Sequence, residues 1–210
     1  MFKFRALSLA AAVACAVASL PTAAQQGTVK IGLITDMTGL YADLDGPAGV
    51  EAIRMAVADF GGSVNGKKIE VLSADHLNKA DLAATKAREW MDQQGLNLLI
   101  GGANSAANLA MAKVVQDKKR PFISIGAATA RMTNEDCTPY TIHYAYDTVA
   151  LARGTGAAMV KQGGKDWYFL TADYAFGHSL EKDTSDVVKA NGGKVIGATR
   201  FPLNASDFSS

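Results

Sequence analysis

Short apolar runs recur along the chain at Val29–Ile34, Lys68–Ser73, Asn97–Ile100, Phe122–Ile125, Trp167–Thr171 and Lys194–Ala198. Each is rich in Val, Ile, Leu or Phe, a composition that predicts buried strands. Tyr140–Tyr144 is a further candidate strand. Between the runs the period changes from continuous to helical. Ile53, Ala56, Val57 and Phe60 stand at i, i+3, i+4 and i+7 and form one apolar stripe; Ala83, Ala87, Trp90 and Met91 form a second, and Leu180, Thr184, Val187 and Val188 a third. Gly61-Gly62, Gly95, Gly163-Gly164 and Gly192-Gly193 follow helical segments where a C-cap glycine belongs.

A strand–helix unit repeating every roughly 30 residues predicts an α/β fold, a parallel sheet flanked by helices. Ligands of such sheets bind outside the carboxyl ends of the strands, at helix N-termini. Function is therefore expected in the loops Thr35–Gly46, Ala74–Asn78, Gly101–Ser105, Gly126–Ala130 and Ala172–Gly177. A polar segment with Cys137 and Pro139 interrupts the rhythm between Arg131 and Tyr146. We expect the chain to cross there from a first lobe, residues 25–143, into a second, residues 144–210. The second lobe then owns two clear strands, too few to bury a parallel sheet on both faces, so the sequence is expected to be the N-terminal part of a longer protein.

The first residues bear on compartment. Lys3 and Arg5 precede the apolar run Ala6–Leu20, Pro21 breaks it, and Thr22-Ala23-Ala24 supplies small residues for cleavage. This is the pattern of a secretory signal peptide over residues 1–24; the run is shorter than the roughly 20 residues of a spanning helix. The 210-residue chain has 21 Lys+Arg and 20 Asp+Glu. With Lys3 and Arg5 removed the charges nearly balance, which speaks against nucleic acid or an anionic membrane as the main partner. Outside the leader Cys137 is the one cysteine, and the three histidines (His76, His143, His178) show no metal-ligand spacing. No metal and no cofactor is expected.

Enzyme motifs fail one by one. Gly61–Lys68 approximates a phosphate loop, but Lys68 stands where a hydroxyl is needed for magnesium, and the segment joins a helix to a strand instead of the reverse. No G-x-G-x-x-G follows the first strand. Ser105 lacks the flanking glycine of a nucleophile elbow, Ala107 taking its place. Two loops remain. Gly101-Gly102-Ala103-Asn104-Ser105 leads into a helix whose free N–H groups attract an anion, with Asn104 or Ser105 as cap. Gly126-Ala127-Ala128-Thr129-Ala130 repeats the arrangement after the next strand and adds the Thr129 hydroxyl. Each loop alone is equally an ordinary capped turn; together they suggest a shared pocket.

These residues resemble a known family, the leucine/isoleucine/valine-binding type of periplasmic solute-binding protein that serves ABC importers. The resemblance is carried by Ile31–Gly39, by Ala56–Gly62 with Asn65–Ile69, by Ile100-Gly101 with Ser105, by Gly126–Ala130, and by Asp173 with Phe176-Gly177. Asp173-Tyr174-Ala175-Phe176-Gly177 and Asp207-Phe208-Ser209-Ser210 are similar to a subgroup whose members are proposed to bind aromatic or other organic acids. The resemblance implies two α/β lobes of the periplasmic-binding-protein type I fold closing over a ligand, no enzymatic activity, a periplasmic monomer, and a membrane permease as partner. It implies that Ser105 hydrogen-bonds a ligand carboxylate, that Thr129 contacts the same ligand, and that Ala127 offers its backbone. Asn104 lies beside Ser105, and Tyr41 and Asp45 fall near another family contact. Phe176 stands where amino-acid binders often carry tyrosine, which weakens the case for an amino-acid ligand. A sensor module feeding a signalling partner is the alternative; a permease gene or a kinase gene nearby would separate the two.

Overall fold

The computed structural model describes residues 27–208. The leader expected over residues 1–24 lies outside the described residues. Strand β1 (Val29–Thr35) enters a loop, a single turn α1 (Ala42–Asp45) and helix α2 (Pro47–Asp59), whose first residue is a proline, the position where its missing N–H costs nothing. Strands β2 (Ser63–Val64) and β3 (Lys67–Asp75) form a hairpin through Asn65 and Gly66, both at positive φ. Asn-Gly is the dipeptide such a turn favours. Then come α3 (Ala80–Gln93), β4 (Leu98–Gly101), α4 (Ser105–Lys118), β5 (Phe122–Ser124), a 3-10 turn Ala130–Thr133 and β6 (Thr141–His143).

The first sheet has the order β2-β3-β1-β4-β5-β6, parallel throughout except for β2. The chain leaves this sheet after His143 and runs through α5 (Thr148–Leu151), a π-helical stretch Ala152–Gly156 and α6 (Ala157–Lys161). It then builds β7 (Asp166–Ala172), α7 (Ala175–Ala190) and β8 (Lys194–Phe201), with β7 and β8 paired in parallel as a second sheet. All seven expected strands are present. The hairpin strand β2, the turn α1 and the π stretch were not among the expectations.

Helices α3 and α4 cover one face of the first sheet, and the main core lies there, around Trp90, Leu96, Leu99, Met111, Val115 and Phe122. The stripe Ala83, Ala87, Trp90, Met91 is buried throughout, as its period predicts. Trp90 lies so close to β1 that a Cβ on Gly32 would stand 2.5 Å from its ring. On the opposite face α2 contributes a smaller cluster, Leu33, Val50 and Ile100. Its stripe Ile53, Ala56, Val57, Phe60 does turn toward the sheet, but it borders an open apolar groove of about 470 Å³ and leaves Phe60 66% exposed. The period set the direction of the stripe; its depth depends on what else covers the sheet.

Candidate ligand-binding site

The carboxyl ends of β1, β3, β4 and β5 carry four loops that are hydrogen-bonded to one another. Asp36, directly after β1, is fully buried. Its carboxylate accepts from the backbone N–H groups of Gly39 (2.8 Å) and Tyr41 (2.8 Å) and from the Asn78 amide. Asn78, after β3, in turn accepts at Oδ1 from Asn104 Nδ2 at 3.0 Å. A single buried charge therefore ties the loop bearing Tyr41 to the loop bearing Ser105.

Asn104 is the N-cap of α4: its Oδ1 accepts from the Ala107 N–H at 3.0 Å. Of the two candidate caps the structure selects Asn104, and this leaves the Ser105 hydroxyl for other work. Ser105 is fully buried, and its Oγ accepts from the Thr129 N–H at 3.3 Å. Thr129, also fully buried, pairs through Oγ1 with Ser179 Oγ at 2.7 Å, and the same oxygen accepts from the Arg131 N–H at 3.4 Å. Ser105 and Thr129, 24 positions apart in the chain, are thus neighbours at adjacent strand ends.

The other expected residues fall in different places. Ala127 is fully buried, and its carbonyl is taken by His143 Nε2 at 2.5 Å. The Asp45 carboxylate accepts from the Thr35 hydroxyl at 2.6 Å and stands against Gly102, where a Cβ would lie 2.6 Å from it. Only glycine permits that approach. Burial pushes the Asp45 carboxyl up from the usual carboxylate range, and the Asp36 charge adds to this against bonds from Thr35 and the Ala103 backbone. Asp45 is a brace between loops. Tyr41 reaches across to the loop between β7 and α7, its hydroxyl 2.5 Å from that of Tyr174. Burial raises the pKa of both phenols, so both remain neutral hydrogen-bonding groups.

Phe176 stands in the first turn of α7. With Leu180, Gly177 and Thr184 it lines an apolar cavity of about 500 Å³ against Trp167, Phe169 and Phe201 of the second sheet. Those α7 positions occupy one side of the helix. Ala175, His178, Ser179, Lys182 and Asp183 occupy the other and face a crevice of about 450 Å³ shared with Ala130, Arg131 and Val149 of the preceding segments. Phe176 is half-buried against the second sheet, and the polar side of α7 faces the crevice bordered by Ala130 and Arg131.

Sequence reasoning placed Tyr174 in a candidate loop but missed Ser179 and the organising role of Asp36. It also missed Thr148, whose hydroxyl donates to Asp183 at 2.6 Å while accepting from the Ala130 N–H at 3.1 Å. The polar positions opposite the stripe of Leu180 and Thr184 were the available signal for Ser179. His76 is buried with Nδ1 accepting from the Asn78 N–H and Nε2 without a partner among the described residues. Burial lowers its pKa, opposed by the charges of Asp36 and Asp75.

Comparison with known proteins agrees with this architecture. The family model described as "Periplasmic binding protein" matches residues 28–210. A Leu/Ile/Val-binding protein homolog 6 of Brucella abortus is 28% identical over 202 residues, covering 95% of this chain and 51% of that protein. A periplasmic binding protein from Burkholderia mallei is similar in structure, with TM-score 0.84 and 70% identity over 87% of this chain and 48% of its own. A solute-binding protein of an ABC transporter from Rhodopseudomonas palustris, solved with 3,4-dihydroxybenzoic acid, has TM-score 0.75 and 30% identity, covering 86% of this chain and 49% of its own. The chain spans about half the length of the relatives it matches. With its β–α–β order, its two sheets and this match, the chain belongs to the periplasmic binding protein family, in the type I α/β fold.

Proposed function

We propose that this is an extracytoplasmic, non-enzymatic solute-binding protein that holds a small carboxylate-bearing molecule and delivers it to the permease of an ABC importer. The ligand class is a branched-chain amino acid or an aromatic acid. Two lobes, residues 25–143 and 144–210, form the walls of the site; residues 1–24 direct export to the periplasm, and the protein acts as a monomer with no nucleic-acid partner.

One observation carries this reading. The Ser105 oxygen accepts from Thr129 N–H, yet its own hydroxyl hydrogen has no acceptor among the described residues, although the side chain is fully buried. A buried donor without an acceptor is costly, and an ionised carboxylate is the acceptor that repays it best, since charge-assisted hydrogen bonds are roughly twice as strong as neutral ones. The relatives' names fit this class: Leu/Ile/Val binding in one, 3,4-dihydroxybenzoic acid in another.

Thermal-shift screening of the intact protein against branched-chain amino acids and benzoates tests the reading. A concentration-dependent rise in Tm with at least one class is expected; no shift with any of them would sink it. Ser105→Ala should weaken the bound compound about tenfold, the worth of roughly 1.4 kcal/mol.

A further inference from the structure

We infer that Ser179 is a ligand-contacting residue of this site, the hydroxyl that the second lobe adds to the group held by Ser105 and Thr129. The inference rests on the proposed function. Thr129 Oγ1 and Ser179 Oγ are 2.7 Å apart, and both side chains are at least nine-tenths buried. A hydroxyl has one hydrogen and turns to suit its surroundings. One of the two hydrogens makes the bond between them; the other has no acceptor among the described residues. If Thr129 donates, the Ser179 hydrogen is unused. If Ser179 donates, the Thr129 oxygen receives from both Ser179 and Arg131 N–H, and the Thr129 hydrogen is unused. With the hydrogen of Ser105, two buried O–H groups on a connected cluster lack acceptors.

Position agrees with this count. Ser179 lies on the side of α7 that faces the first lobe, in the lining of the crevice of about 450 Å³, beside Ala130 and therefore next to Thr129. It is three residues from Phe176, about 60° round the helix, and the two border different hollows. The polar contact of the second lobe is thus offered at position 179, where a short serine reaches the cluster, and not at 176. A carboxylate has about four lone-pair sites, enough for the Ser105 hydrogen and the unused hydrogen of the Thr129–Ser179 pair together. The second lobe then closes onto the ligand's charged group through α7, which couples lobe position to occupancy of the site.

The test is isothermal titration of the intact protein with L-leucine and with 3,4-dihydroxybenzoate, comparing wild type, Ser105→Ala, Ser179→Ala and Ser179→Thr. For the compound that binds, Ser179→Ala is expected to raise Kd about three- to tenfold, and Ser179→Thr, which keeps the hydroxyl, to recover most of the loss. Unchanged or tighter binding by Ser179→Ala, with Ser105→Ala weakened, overturns the inference, because a serine that merely holds the empty lobes together would compete with ligand. Unchanged binding by Ser105→Ala, or failure of both compounds to bind, overturns the reading beneath it as well. Far-UV circular dichroism and melting of each variant separate lost contact from lost structure, since alanine is favourable in a helix interior.

Discussion

Replacing Asp36 by asparagine tests whether one buried carboxylate holds the first wall of the site together. The exchange keeps the shape of the side chain and removes its charge. At present one carboxylate oxygen accepts from Gly39 N–H, and the other accepts from both Tyr41 N–H and the Asn78 amide. An asparagine has a single carbonyl oxygen, so at least one of these donors meets an NH2 group and is left unsatisfied in a fully buried place. Losing a hydrogen bond to a charged group costs about 1.5–3 kcal/mol, and stranding a buried donor costs about 1–3 kcal/mol. Relief from burying a charge offsets part of this. We therefore expect a net loss of about 3 kcal/mol, or about 6–12 °C in Tm at roughly 2–4 °C per kcal/mol for a chain of this size. Calorimetry and urea unfolding of the intact protein would measure it. Because Asn78 also bonds Asn104, ligand affinity should fall too, although Asp36 is one loop removed from Ser105. A Tm change smaller than about 2 °C would refute the reasoning, since it would mean that the three donors find other partners at no cost.

Gly32→Ala should be destabilising by about 1–3 kcal/mol through overpacking. The added Cβ would stand 2.5 Å and 2.7 Å from two Trp90 ring atoms and 2.9 Å from Leu96 Cδ1, and both residues are buried; a near-UV circular dichroism spectrum and urea midpoint equal to wild type would contradict this. His76 makes a pH-dependent contribution of known sign. Burial depresses its folded pKa below the ordinary value of 6.5, so the unfolded chain binds the proton first. Its stabilising contribution is present above about pH 6.5 and is lost as pH falls through the folded value. The stability gap between wild type and His76→Gln should therefore narrow from pH 7.5 to pH 5.5, by at most about 1.4 kcal/mol per pH unit; a gap that stays constant or widens would rule it out.

The sequence alone determined the order of the seven expected strands and of the main helices, though not α1, β2 or the π-helical stretch. Apolar runs in β1, β3, β4 and β5 and the stripe on α3 are local periodic signals, and the physics of burying them leaves a parallel sheet with loops at one edge. That much also brought Ser105 and Thr129 to neighbouring loops, because β4 and β5 are adjacent strands. Tertiary structure decided what no local period encodes. The cap of α4 is Asn104, through the Ala107 N–H, while the Ser105 oxygen receives the Thr129 N–H from another loop. Phe176 turned into its own lobe because the apolar cavity beside Trp167 and Phe201 lies on that side of α7. Asp36 became an organiser because its donors come from the following turn and from Asn78, 42 positions away, and Ser179 meets Thr129 across 50 positions. Hydrogen bonds between distant segments depend on how the layers dock, and that docking is set by the packing of all the stripes together.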